Sequence, residues 1–134
     1  MAGTDQAQPC QGTMSSAISN AVVRLLAEYT GRGPTKARTH ISDDLIAVVL
    51  QGTLTKGELS LVRDGKTDLV MQSRKAYQDT MKEDLVAAVE EITGRTVLAF
   101  LSDNHLDPDI AVESFVLVPE ERGDGRVDGG DADA

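Results

Sequence analysis

An internal repeat constrains this 134-residue chain more than any other feature. The run LLAEYTGR, Leu25 to Arg32, is echoed by AVEEITGR, Ala88 to Arg95; each has a glutamate, an apolar residue and then Thr-Gly-Arg. A strand ending in Ser-Asp follows both, at Ser42-Asp43 and Ser102-Asp103, and a returning aliphatic strand follows each of those. Helix, strand, strand thus occurs twice. Whatever the chain folds into must accommodate two similar helix–hairpin units.

Periodicity supplies the elements. Ile18, Val22, Leu25, Leu26 and Tyr29 recur at helical spacing behind Ser15 and Ser16, either suited to cap the helix, and Gly31 stops it. Between Arg38 and Gln51 the pattern is that of a hairpin turning at Asp43-Asp44. Thr55-Lys56-Gly57-Glu58 is a capping box that opens a short helix, which Asp64-Gly65 interrupts. Val70, Tyr77, Met81, Leu85, Val89 and Ile92 then hold one face of a long helix. A second box, Thr80 to Glu83, predicts a kink or fresh start inside it, and Gly94 ends it as Gly31 ended the first. Arg95 to Ser102 reads as a strand, Asp103 to Asp109 as a turn-rich loop and Ile110 to Val118 as the returning strand.

A sheet half-covered by helices must bury its apolar face against them. The expected fold is therefore an α+β two-layer sandwich in the order α-β-β-α-α-β-β, with a four-stranded antiparallel sheet and all helices on one side. One domain is expected over residues 15–118, between disordered tails at 1–14 and 119–134. The bare second face and the edge strands favour a homodimer, whether by simple association or by exchange of halves.

Charge and composition remove several function classes. Residues 15–118 carry 11 basic and 15 acidic side chains, and the last sixteen residues carry 2 and 6. The acidic tail thus holds nearly half of the net charge of −9. A mildly acidic domain gives no electrostatic footprint for duplex nucleic acid. With no Trp, two Tyr and two Phe, stacking platforms for single strands are missing as well. The lone Cys10 precludes an intramolecular disulfide and favours a cytoplasmic location. No apolar run approaches the roughly 20 residues that span a bilayer, so membrane association is expected only through a partner.

The halves also differ, and the differences mark candidate sites. The first unit has three additional residues within Gly33-Pro34-Thr35-Lys36-Ala37, whereas the second lengthens its hairpin loop. Thr30 to Arg38 packs two glycines, a proline and three cations into nine residues. Arg32, Gly33, Thr35, Lys36 and Arg38 are the binding candidates, either for docking on an acidic protein surface or for gripping a phosphate or carboxylate. Against an anion, the segment follows a helix, so the nearest dipole end is negative. In the structural reading Gly31 and Gly94 are helix stops and Arg32 caps the last carbonyls. Lys36 and Arg38 are the stronger functional candidates, because Arg95 repeats Arg32 without a cationic loop behind it.

The loop Asp103 to Asp109 collects oxygen ligands and His105, but its spacing fits neither a calcium loop nor a zinc pair, so no metal is expected. His40 reads as a surface strand residue. Cys10 lies in a tail, no Ser sits in a nucleophile elbow, and the pairs Asp43-Asp44 and Glu90-Glu91 point apart. No catalytic group and no cofactor is expected.

The run Ile18 to Leu54, together with LVAAVEEITGRTV from Leu85 to Val97, resembles the bacterial MpsC family, long known as a domain of unknown function. The stretch Tyr29 to Arg38 and the later Glu91-Ile92-Thr93-Gly94 carry the likeness most specifically. The resemblance implies a link to a sodium-translocating, membrane-potential-generating system of ion and inorganic-carbon transport whose transmembrane work falls to other subunits. It points to a non-catalytic accessory or regulatory protein; the alternative is a small-anion or nucleotide-binding sensor.

Overall fold

A computed structural model describes residues 11–120. The elements are α1 (Gln11–Thr30), β1 (Lys36–Ser42), β2 (Leu45–Gln51), α2 (Lys56–Arg63), α3 (Thr67–Thr93), β3 (Val97–His105) and β4 (Ile110–Leu117). The four strands form one antiparallel sheet in the order β1-β2-β4-β3. The two hairpins therefore meet along their returning strands, β2 against β4. This is the expected α+β sandwich, with helices over one face and the other left open.

Alternation along the strands decides which side is core. Ile46, Val48 and Leu50 of β2 and Ala111, Phe115 and Leu117 of β4 are buried, facing Ile18, Val22, Leu25 and Leu26 of α1 and Met81, Leu85 and Val89 of α3. Burial of each large aliphatic or aromatic side chain contributes about 1.5–3 kcal/mol, so this cluster dominates the stability. Tyr29 Oη donates to Asp84 Oδ2 at 2.6 Å and links α1 to α3. That hydrogen bond, more than desolvation or nearby acids, raises the Tyr29 phenol above its ordinary value.

Several boundaries differ from the sequence reading. Helix α1 already includes Gln11 to Met14, placed in the tail above. Met14 is half-buried one turn before Ile18, which extends the apolar stripe backwards. The remaining tail residues, 1–10 and 121–134, lie outside the described residues. Helix α3 runs unbroken, because the Thr80 hydroxyl donates back to the Ala76 carbonyl at 2.9 Å instead of capping a new helix. Its buried stripe is Val70, Arg74, Gln78, Met81, Leu85 and Val89, whereas Tyr77 is 43% exposed. Strand β1 begins at Lys36, not Arg38, and β3 runs on through Asp103, Asn104 and His105, which leaves only residues 106–109 as the second turn.

Glycines close both first helices of the repeat. Gly31 has φ 83° and its N–H donates to the Ala27 carbonyl at 2.9 Å; Gly94 has φ 70° and donates to Glu90 at 2.8 Å. The expected capping box forms at α2: Thr55 Oγ1 accepts from the Glu58 N–H at 3.1 Å, and Glu58 Oε1 accepts from the Thr55 N–H at 2.9 Å.

Candidate functional site

The segment after α1 is committed largely to its own fold. The Arg32 guanidinium donates to the Leu54 carbonyl, which fastens the turn to the start of the α2 segment. Gly33 lies flat on α1, where an added Cβ would stand 3.4 Å from Val23 Cγ1. The Thr35 N–H and hydroxyl both donate to the Gln51 carbonyl, at 2.9 and 3.2 Å. Arg32 and Thr35 thus both help to hold the turn in place.

Lys36 and Arg38 have a different fate. As first and third residues of β1 they project, with His40, onto the sheet face opposite the helices, and all three are exposed. Among the described residues none of the three side chains enters a hydrogen bond or ion pair. By contrast, exposed Arg24 and Lys75 sit on helices beside acids one turn away, Glu28 and Asp79. The β1 stripe is thus an unneutralised cationic edge beside a strip of part-exposed aliphatic side chains, Leu45, Ala47 and Val49 on β2.

On the helix side, a polar cluster lies where an apolar core was expected. Arg74, 9% exposed, donates from Nε to Asn104 Oδ1 at 2.9 Å, from one terminal nitrogen to Glu58 Oε1 at 3.0 Å and from the other to Thr53 Oγ1 at 2.6 Å. Gln78 and Asn104 exchange reciprocal amide hydrogen bonds at 3.1 and 3.2 Å. Asp109 accepts from the Thr53 N–H and hydroxyl, each at 3.1 Å, and from the Leu54 N–H at 2.9 Å. One arginine and one aspartate thereby join α2, α3, β3 and the second turn. A cleft of about 20 Å³ beside Arg32, Glu58, Arg74 and Gln78 has room for about one water molecule.

Glu113 of β4 is 1% exposed in the middle of the sheet. Burial pushes its carboxyl up to about 7, against the opposing pull of the Ser102 hydroxyl and the Arg74 charge. Neither Glu113 Oε1 nor Ser102 Oγ completes a hydrogen bond of normal geometry. Below about pH 7 the protonated carboxyl is the form this site favours.

The structure therefore separates the binding candidates. Arg32, Gly33 and Thr35 stay together in the turn, while Lys36 and Arg38 move into a strand and gain His40 as neighbour. The cluster around Arg74 escaped sequence reasoning, although a signal was available: Arg74 and Gln78 sit four residues apart between Val70 and Met81 on the helical stripe. Asp109, read as a solvated loop residue, is an anchor for three donors. Among the described residues there is no group of three or more His, Cys, Asp or Glu placed to hold a metal ion, and no helix is long and apolar enough to cross a membrane.

Fold and site together define a small α+β domain whose buried polar groups fasten its elements and whose free cations line an open sheet face. Residues 10–118 match the family described as "Na+-translocating membrane potential-generating system (MpsC)", and the chain belongs to that family. It is also 31% identical over 94 residues to "Uncharacterized protein YbcI" of Bacillus subtilis (strain 168), a match covering 69% of this chain and 76% of that protein. No solved structure matches.

Proposed function

We propose that this chain is a non-catalytic accessory or regulatory protein of a sodium-translocating, membrane-potential-generating system, serving ion or inorganic-carbon transport from the cytoplasm by docking onto a membrane subunit. The family membership supports the system, and the unpaired stripe of Lys36, Arg38 and His40 is the observation that carries the docking role. Cations held on an edge strand, without acids of their own, fit an acidic protein surface and steer its approach. A rim charge of this kind governs encounter rate and salt dependence more than final affinity.

The test is recovery from native membranes with a tagged bait. The wild-type chain is expected to retain an integral membrane subunit, identified by mass spectrometry, and raised salt is expected to weaken retention. Lys36→Glu combined with Arg38→Glu is expected to abolish it. Equal recovery with the double variant would remove the stripe from the docking role.

A further inference from the structure

The open face of the sheet is laid out in four rows, one residue from each strand. Reading across β1, β2, β4 and β3, they are Ser42–Leu45–Val116–Ala99, His40–Ala47–Ser114–Leu101, Arg38–Val49–Val112–Asp103 and Lys36–Gln51–Ile110–His105. The middle strands supply an aliphatic floor. Leu45 of that floor is 45% exposed, and β3 adds Leu101 at 57% and, beside its bulge, Leu98 at 65%. Arg38 stands at one edge of its row and Asp103 at the other, both exposed and neither in an ion pair among the described residues. Asp103 Oδ1 accepts only its neighbour's N–H, from Asn104 at 2.9 Å.

A row that runs cation, valine, valine, anion is its own complement under one symmetry operation. Turning a second copy about a two-fold axis that lies between the sheets, parallel to the strands, sets β1 over β3 and β2 over β4. Arg38 then meets Asp103 of the second copy, and Val49 meets Val112, with both contacts made twice, as an isologous interface requires. The other in-plane two-fold axis, perpendicular to the strands, would stack β1 on β1 and oppose like charges. The roughly 30° rotation usual between packed sheets shifts the edge strands by only about 4 Å along their length, within reach of an arginine side chain. Strand spacing and rise give the face about 19 by 23 Å, or roughly 900 Å² for both copies before side-chain relief is counted, close to where specific interfaces begin.

We propose that the open sheet face is a self-association surface, on which two copies of this chain pack face to face with Arg38 of each against Asp103 of the other. The result is a four-layer helix–sheet–sheet–helix dimer that buries the aliphatic floor. This narrows the docking role, because the dimer covers Arg38 and His40: Lys36 meets no carboxylate in this register and stays at the rim, available to a different partner.

Analytical ultracentrifugation of the purified full chain tests the surface. A concentration-dependent dimer is expected, weakened by about tenfold or more in Arg38→Asp and in Asp103→Arg, and restored to within about threefold in the double charge swap. Circular dichroism on each variant separates lost pairing from lost folding. In a Cys10→Ser background, treating a mixture of Arg38→Cys and Asp103→Cys chains with a thiol-reactive cross-linker that spans the roughly 10 Å between packed sheets should yield the mixed cross-link in excess of either homodimer. Lys36→Glu alone should leave the dimer intact while weakening recovery of the membrane subunit, so the two roles fail separately. A wild-type monomer at 100-micromolar concentration, or Arg38→Cys chains that couple mainly to themselves, would overturn the proposal.

Discussion

In the first half of the molecule the hairpin turn is held from the other half by one arginine side chain and one backbone amide: Arg95 donates to the Asp43 carbonyl at 3.1 Å and to Asp44 Oδ1 at 2.6 Å, and the Leu117 N–H donates to the Asp44 carbonyl at 2.7 Å. In the second half the turn does the holding. Asp109 binds the backbone of Thr53 and Leu54, and the Leu54 carbonyl in turn accepts from Arg32, the repeat counterpart of Arg95. Both Thr-Gly-Arg segments thus reach toward the opposite hairpin, but one grips it directly and the other through the segment that leads into α2. A second asymmetry lies in the central ladder. Val48 and Glu113 are each the fourth residue of their strand and directly opposed, so the second half carries a carboxylate where the first carries a core aliphatic. The two halves share a scaffold, and the buried polar cluster draws on both, Thr53 and Glu58 from the first and Arg74, Gln78, Asn104 and Asp109 from the second.

The largest effect that would break this contrast is expected from Arg74→Met. It leaves Glu58 without its cation and Thr53 Oγ1 without a donor in a buried setting, while Asn104 Oδ1 keeps only Gln78, a loss of about 3–5 kcal/mol measurable by chemical denaturation. The equivalent insult is not available in the first half, where Ser19 and Thr39 pair through neutral hydroxyls at 2.7 Å.

Glu113→Gln is next and of opposite sign. In the unfolded chain this carboxyl titrates near its ordinary 4.5, and in the fold near 7, so between those values the folded protein holds a proton that the unfolded one has lost. Stability contributed by the proton is present below about 4.5, declines through that window and is gone above about 7. Denaturation at pH 8 should therefore find Glu113→Gln more stable than wild type by up to about 3 kcal/mol, with the slope between pH 5 and 7 flattened. An unchanged slope would place the titration elsewhere.

Smaller effects sharpen the comparison of the two turns. Asp109→Ala removes an acceptor from three donors and is expected to cost about 2 kcal/mol, against about 1 kcal/mol for Asp44→Ala, whose side chain is 44% exposed. Comparable losses would mean that the two anchors are equivalent after all. The smallest pair is Gly31→Ala and Gly94→Ala, each expected to cost about 1 kcal/mol because both glycines hold a left-handed conformation. A clear difference between these two would show that the helix ends do not share a common role.

The repeat made the strand order and layering legible, because a helix–hairpin unit used twice has few ways to bury its apolar face. It also drew attention to Lys36 and Arg38. The placement of Lys36 on the strand was obscured by Pro34 and the two glycines, which read as loop until pairing with Leu50 and Gln51 extended the hairpin back from Arg38. The Arg74 cluster was hidden for another reason: its members come from residues 53, 58, 74, 78, 104 and 109, and only the tertiary fold brings them together. The break expected at Thr80 failed because a Thr-x-x-Glu sequence caps a helix only where the preceding turn is not already helical. Asn104 and His105 joined β3 because pairing with Ala111 and Ile110 outweighs their turn preference.

The crossed anchors bear on where the chain can be opened. Gly65, exposed between α2 and α3, divides the protein into two pieces, each bearing one hairpin and one Thr-Gly-Arg segment. Arg95 and Asp109 of the later piece grasp the earlier one, while β2 of the earlier piece is the only neighbour of β4 besides β3. Neither piece closes a core by itself. Each displays the mould into which the other fits, so separately synthesised fragments would find one another without a covalent link.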